Sequence, residues 1–316
     1  MKFSDATIQL LDQVNRVYPG SIVLRGNGEA TGALTHDQVT TDILGTRLMV
    51  EVTDATAPDY SATYELLNMM LKLSGFPQVY FQLEAPEENL TNQLMVMATY
   101  LYQPSINAIV YREQAKHGVL TESVAQAYAK GVMTTLTKEV GDDMNEAALR
   151  LLTLLDARVF MYNVPSDTSD LTDTFADSFP KAWEASGLLM DQLVIDKIVD
   201  PASMHRAIVA AFKGFDAQMI SWNLPELHNQ EFTTVTPVLS ERQLRLPVSQ
   251  VFEIKHAFFK NHANGEDAFV ALAKNDGQNS FVVIPAEENQ AEWFKTLYKT
   301  PVKELLEAMN QPYVVR

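Results

Sequence analysis

The sequence predicts an α+β protein, on three observations. The first third mixes strand-like and helix-like runs. From Asn89 to Phe215 the apolar spacing is helical almost throughout, and after Pro225 it changes to β-rich runs punctuated by turn residues. The expected architecture is therefore a mixed N-terminal region, a helical middle and a small C-terminal α+β domain. The expected boundary divides 1–228 from 229–316.

A first helix near Asp5 to Tyr18 is amphipathic through Ile8, Leu11, Val14 and Val17. A strand over Ser21 to Arg25 ends at a turn, Arg25-Gly26-Asn27-Gly28. A short helix after Thr35 and a strand over Gly45 to Val52 lead, through the polar link Thr53 to Asp59, to a helix from Ser61 to Leu73. Leu66, Leu67, Met69, Met70, Leu71 and Leu73 make that helix apolar around most of its circumference, which predicts a buried core helix. Asp59 or Ser61 can cap its start, and Gly75 with Pro77 ends it. Gln78 to Glu84 alternates Val79, Phe81 and Leu83, the period of a half-buried strand.

Six helices follow in the middle region: Leu90 to Tyr102, Ser105 to His117, Thr121 to Leu136, Met144 to Tyr162, Lys181 to Val199 and Ala202 to Phe215. The acidic, hydroxyl-rich run Ser166 to Thr174 lacks the glycine and terminal glutamate of a calcium loop and reads as a solvated loop. Beyond it, Leu244 to His256, Ala268 to Lys274 and Ser280 to Pro285 read as strands, with a hairpin turn at Asn275-Asp276-Gly277-Gln278. Helices near Ala286 to Tyr298 and Pro301 to Met309 close the chain. There is no internal repeat.

Composition narrows the function classes. At 316 residues, with 47% hydrophobic and 20% charged residues, the chain has ample capacity to bury a core. A formal net charge of −16 argues against nucleic acid or an anionic membrane as the main partner, because both reward clustered Lys and Arg. The absence of cysteine removes disulfides, thiolate zinc sites and cysteine nucleophiles. No apolar run suits a signal peptide or a bilayer span, so a soluble, cytoplasmic protein is expected.

One stretch carries chemical information: Thr63-Tyr64-Glu65-Leu66-Leu67-Asn68. It has the frame of the zinc-peptidase helix H-E-x-x-H, in which imidazoles at i and i+4 hold the metal and the glutamate activates its water. Here Tyr64 and Asn68 stand at the two ligand positions, and neither a neutral phenol nor a carboxamide suits zinc. The preceding strand, loop and motif helix follow the order in which zincins lay substrate along an edge strand. Asp156, on a largely apolar helix with Leu152, Thr153, Val159 and Phe160 one turn away, is the candidate third ligand, with Glu146 second. A carboxylate in that setting must find a partner. A hydrogen bond to a hydroxyl, amide or backbone group ranks above metal binding, and Tyr64 with Asn68 could satisfy Asp156 and Glu65 where an ion once sat. His36, followed by Asp37, could lie near the motif helix or belong to a capped turn. His205, His228, His256 and His262 show no ligand spacing.

The segments Tyr18-Pro19-Gly20-Ser21, Thr31 to Asp37 and Ala57 to Thr63 resemble a family of uncharacterised bacterial proteins labelled IpaB/EvcA, in which the segment matching Tyr64 to Asn68 reads H-E-L-L-H in some members. The resemblance implies a zincin-type ancestry, with Glu65 as the vestigial general base and Tyr64 and Asn68 as former metal-ligand positions; Asp156 is added as a former ligand position from the reading of its own helix. It also implies zinc in intact relatives. For this chain no metal or other cofactor is expected. The expected function is a catalytically inactive, zincin-like protein that serves as a binding or regulatory module for a protein or peptide. The alternatives are an active metal-dependent peptidase with an atypical site, and an interaction protein unrelated to zincins.

Overall fold

The protein is described by a computed structural model covering residues 1–141, 144–285 and 290–316, with the His36 side chain outside the described set. It is a mixed α+β protein with a helical middle and a small C-terminal region of strands and helices. The chain divides into two compact units, 1–74 with 103–191 and 75–102 with 192–316, which are not separated at 228/229. The segment 75–102 joins the second unit because its short strands find their partners there.

In the first unit, α1 (Asp5–Val17) leads into β1 (Ser21–Gly26), β2 (Val39–Leu44) and β3 (Arg47–Val52). β1 runs parallel to β3, and β2 pairs antiparallel on the other side of β3. The sequence reading lacked β2, whose residues are nearly all exposed and so carry no inward apolar alternation. Helix α2 (Pro58–Leu73) packs with α1 and β3. It begins one turn earlier than expected, and neither Asp59 nor Ser61 caps it. Asp59 Oδ1 instead accepts from Ser4 N, Ser4 Oγ and Thr7 Oγ1 at the start of α1, so it ties two helices together. Only the first half of α2 is a core helix. Ser61, Ala62, Thr63, Leu66 and Leu67 are buried, whereas Leu73 is exposed; Gly75, at φ +75°, follows the helix end as expected.

Strands β4 (Val79–Tyr80) and β5 (Leu83–Glu84) replace the single strand expected there. The two helices expected on either side of Pro104 are one, α3 (Glu88–Lys116). A proline inside a helix removes one N–H but need not break it when both flanks are buried by packing. Helices α4 (Glu122–Thr135) and α5 (Ala147–Asn163) follow, α4 capped by Thr121 Oγ. The run expected as a loop after Pro165 contains α6 (Ser169–Ser178), anchored by buried Phe175 and Ser178. Next come α7 (Pro180–Leu193) and α8 (Pro201–Ser221), the latter opened by a capping box between Asp200 and Ser203.

In the second unit, α9 (Asn229–Phe232), β6 (Thr234–Val235) and β7 (Val238–Leu239) precede two short helices, α10 (Glu241–Arg245) and α11 (Val248–Val251). These helices occupy the first half of the run expected as a strand from Leu244. Strands β8 (Phe252–Asn261), β9 (Asp267–Ala273) and β10 (Asn279–Val283) then form the sheet β10-β9-β8-β5. The turn expected at 275–278 joins β9 to β10. Phe252, Ile254, Ala271 and Phe281 pack with Leu297, Val302 and Leu306, whereas Phe259, Ala268, Val270 and Val282 pack with Leu83, Leu94 and Phe232. Apolar cover on both faces explains why β10 is buried throughout rather than alternating. The chain closes with α12 (Gln290–Lys299), α13 (Val302–Ala308) and β11 (Val314–Val315), which pairs with β7. The expected start of α12, from Ala286 to Asn289, lies outside the described residues.

Candidate functional site

The motif helix faces a buried polar cluster built from α2, α3, α4 and α5 of the first unit. On α5, Asp156 and Phe160 are one turn apart and share a face. Asp156 is 7% exposed, and its carboxylate receives three donors: Asn107 Nδ2 at 2.6 Å, Tyr111 Oη at 2.9 Å and Tyr128 Oη at 2.7 Å. Phe160 forms the apolar floor, stacked on Tyr128 with ring centroids 3.8 Å apart and edge-on to Tyr60 and Tyr111. The cluster thus has one charge, a ring of phenols around it and an aromatic base.

Tyr64 joins this cluster at one remove. Its hydroxyl donates to Asn107 Oδ1 at 2.9 Å and accepts from Gln103 Nε2, while Asn107 Nδ2 donates onward to Asp156 and, at 3.0 Å, to Tyr111 Oη. Gln103, Tyr64, Asn107 and Asp156 therefore form a chain in which every donor points toward the carboxylate. Aligned bonds of this kind polarise one another in a low-dielectric interior. Burial, and then the negative charge of Asp156, push the Tyr64 hydroxyl well above the ordinary phenol range. Burial does the same at Tyr60, Tyr111 and Tyr128, with Asp156 adding to it at each. All four phenols are neutral donors at physiological pH.

The structure thus brings Tyr64 and Asp156 into one network, but through Asn107 rather than directly. Asn68 stands one helical turn after Tyr64, and its Oδ1 is buried without a partner among the described residues. Glu65 is half-buried, and its charge adds to the negative field at Tyr64. Glu146 is not part of the cluster. It precedes α5 at φ 60° and pairs with Arg150 at 3.6 Å, ten positions before Asp156 and therefore roughly 15 Å along the axis. His205 lies in the second unit, with Nδ1 on the Thr236 carbonyl and Nε2 on Asp276, both at 3.2 Å.

Gln103, Asn107, Tyr111 and Tyr128 were missed by motif reading. The first three stand at i, i+4 and i+8 on α3, between apolar residues such as Ile106, Ala108 and Val110, so a polar stripe was present in the sequence. Gln114 extends it, donating to the Tyr60 carbonyl and to Thr63 Oγ1, both at 2.9 Å.

The cluster does not suit zinc. Both Asp156 oxygens are taken by hydrogen bonds, Tyr64 is held as a neutral phenol, and Asn68 offers a carboxamide. Among the described residues no group of three or more His, Cys, Asp or Glu side chains is gathered where it could hold a metal ion. No helix among them is long and apolar enough to cross a membrane. No family model, no curated protein and no solved structure matches the chain.

Proposed function

We infer that the protein is a non-hydrolytic, zincin-like binding or regulatory module acting on a protein or peptide partner. The observation that carries this reading is the hydrogen-bonded chain from Tyr64 through Asn107 to Asp156. It satisfies Tyr64 and Asp156, two of the side chains that would otherwise compose a metal site, from within the protein. The edge strand β2 supports the binding half of the reading. Thr40 to Leu44 are exposed, and among the described residues β2 pairs with β3 alone, so its other edge presents main-chain donors and acceptors to which an extended segment can add.

Metal analysis of protein purified without chelator, together with a peptidase assay with and without chelator, tests the reading. The expected outcome is no stoichiometric zinc and no chelator-sensitive turnover; about one tightly held zinc per chain with such turnover overturns it. The zincin ancestry has its own test. Tyr64→His combined with Asn68→His should create zinc affinity that either single change gives only weakly, because chelation depends on both imidazoles on one helix face. A folded double variant that takes up no zinc means that the ancestral-site reading fails or that the third ligand has also been lost.

A further inference from the structure

In the second unit, the junction of α9 and β10 contains four side-chain oxygens with no hydrogen-bond partner among the described residues: Asn229 Oδ1, Thr233 Oγ1, Gln278 Oε1 and Asn279 Oδ1. All four residues are 0% exposed. Burying one such oxygen is tolerable, but four at one junction call for a common partner.

The three carboxamides cannot escape by turning over. Gln278 Nε2 donates to the Thr233 carbonyl at 2.6 Å and the Gln230 carbonyl at 3.1 Å, so a flipped amide would set oxygen against oxygen. Asn279 Nδ2 donates to the Glu231 carbonyl at 2.9 Å and to Thr234 Oγ1 at 3.1 Å. The Thr234 hydroxyl is already committed as a donor to Gln82 Oε1 at 3.0 Å, and from Asn279 it can only accept. Asn229 Nδ2 and its backbone N–H donate to the two oxygens of Asp216 at 2.7 and 3.0 Å. What remains unpaired at each amide is therefore oxygen.

These oxygens belong to two segments laced together. Asn229 and Thr233 are one helical turn apart, joined by the bond from Thr233 N to the Asn229 carbonyl at 3.0 Å, so their side chains share a face. The carboxamides of Gln278 and Asn279 lie across the carbonyls at the end of that same turn. In this imbalance, three of the four are carboxamide acceptors without a donor, and the Thr233 hydroxyl, which can supply only one O–H, has no partner of either kind among the described residues.

An electropositive ligand resolves it. Amide and hydroxyl oxygens are hard, neutral donors, the kind from which cages for alkali cations are built. A divalent ion would draw on several carboxylates. Here the nearby carboxylate, Asp216, acts through the Asn229 carboxamide, whose outward oxygen it makes more negative.

We propose that the α9–β10 junction is a binding site for a monovalent alkali cation, held by the side-chain oxygens of Asn229, Thr233, Gln278 and Asn279, with Asp216 as the compensating charge behind Asn229. The site is independent of the motif helix. Its occupancy governs how firmly β6 and β10 are held, since α9 leads directly into β6 and its carbonyls are capped from the start of β10.

The test compares thermal unfolding of the intact protein in potassium, sodium and choline chlorides at matched ionic strength. The expected result is a saturable rise of about 2–4 °C with one alkali cation relative to choline. Thr233→Val, which removes one ligand oxygen at nearly constant volume, should abolish that difference while the protein stays folded. Anomalous scattering from crystals of the unaltered protein soaked in rubidium chloride provides a readout that needs no variant, with a peak expected among the four oxygens. Identical unfolding in all three salts with no rubidium peak overturns the proposal and leaves ordered water as the donor to these oxygens.

Discussion

Asp156 shows how a single buried charge organises its surroundings. Three donors from two helices converge on it; truncation takes the acceptor from the Tyr111 and Tyr128 hydroxyls and leaves Asn107 Nδ2 only its bond to Tyr111 Oη. Asp156→Ala should therefore destabilise the protein by about 2–4 kcal/mol, measured by chemical denaturation, with no change in m-value. A loss below about 0.5 kcal/mol would mean that the phenols find other partners. Two carboxyls of the second unit give pH signatures of opposite sign. Burial tends to raise Asp276, but the hydrogen bonds from His205 and the Gln278 N–H, with the charges of His205 and Lys213, outweigh it and hold the carboxyl below its ordinary range. Its stabilising contribution is full above the unfolded carboxylate value near 4 and is lost as pH falls through the lower folded value. Asp216 is raised, by burial against the opposing bonds from Asn229. Its contribution is full below about pH 4 and is lost as pH rises through the folded value. Denaturation midpoints of Asp276→Asn should thus approach those of the unaltered protein below about pH 4, whereas Asp216→Asn should gain on the unaltered protein as pH rises above that point. Parallel curves for either variant would contradict the assignment.

At the scale of elements, the contact between α4 and the 27–35 loop is the most tightly specified. A Cβ built on Gly131 would stand 1.8 Å from the Leu34 carbonyl oxygen, and the Leu34 N–H donates to the Ala127 carbonyl one turn earlier at 3.0 Å. Backbone meets backbone there, so no side chain can yield. Gly131→Ala should cost about 2–3 kcal/mol and selectively speed amide exchange at Leu34, whereas a variant as stable as the parent would show the loop free to retreat. Elements were legible in the sequence where one signal dominated. The start of α4 at Thr121, the end of α2 near Gly75 and the β9–β10 turn follow from local chemistry alone. The fusion of two expected helices through Pro104, and the helix α6 inside an acidic run, were not legible, because buried packing outweighed local breaking signals.

For the whole molecule, the net charge of −16 sets the dominant long-range term. Self-repulsion of a compact acidic chain is relieved by screening, so the melting temperature should rise by about 1–3 °C between about 10 and 150 mM choline chloride. No rise, or a fall, would show that attractive pairs outweigh the repulsion. This rise is common to all salts and forms the baseline for any cation-specific effect at the α9–β10 junction. The division into 1–74 with 103–191 and 75–102 with 192–316 belongs to this scale as well. Two-residue strands such as β4 carry little periodic signal, yet Val79 pairs with Val235 across a long stretch of chain and carries its segment into the second unit.

By itself the sequence determined the α+β class, the helical middle, the hairpin near the end, and that the motif helix carries a phenol and a carboxamide where a zincin has imidazoles. These properties are local: spacing, caps, turn residues and side-chain identity are read within a few positions. Only the tertiary structure decided that Asp156 is satisfied by Asn107, Tyr111 and Tyr128, that Tyr64 reaches it through Asn107, and that four side-chain oxygens at the α9–β10 junction have no partner among the described residues. Hydrogen-bond satisfaction in a buried site depends on which groups packing brings within about 3 Å of one another, and residues dozens of positions apart carry no local sign of that meeting.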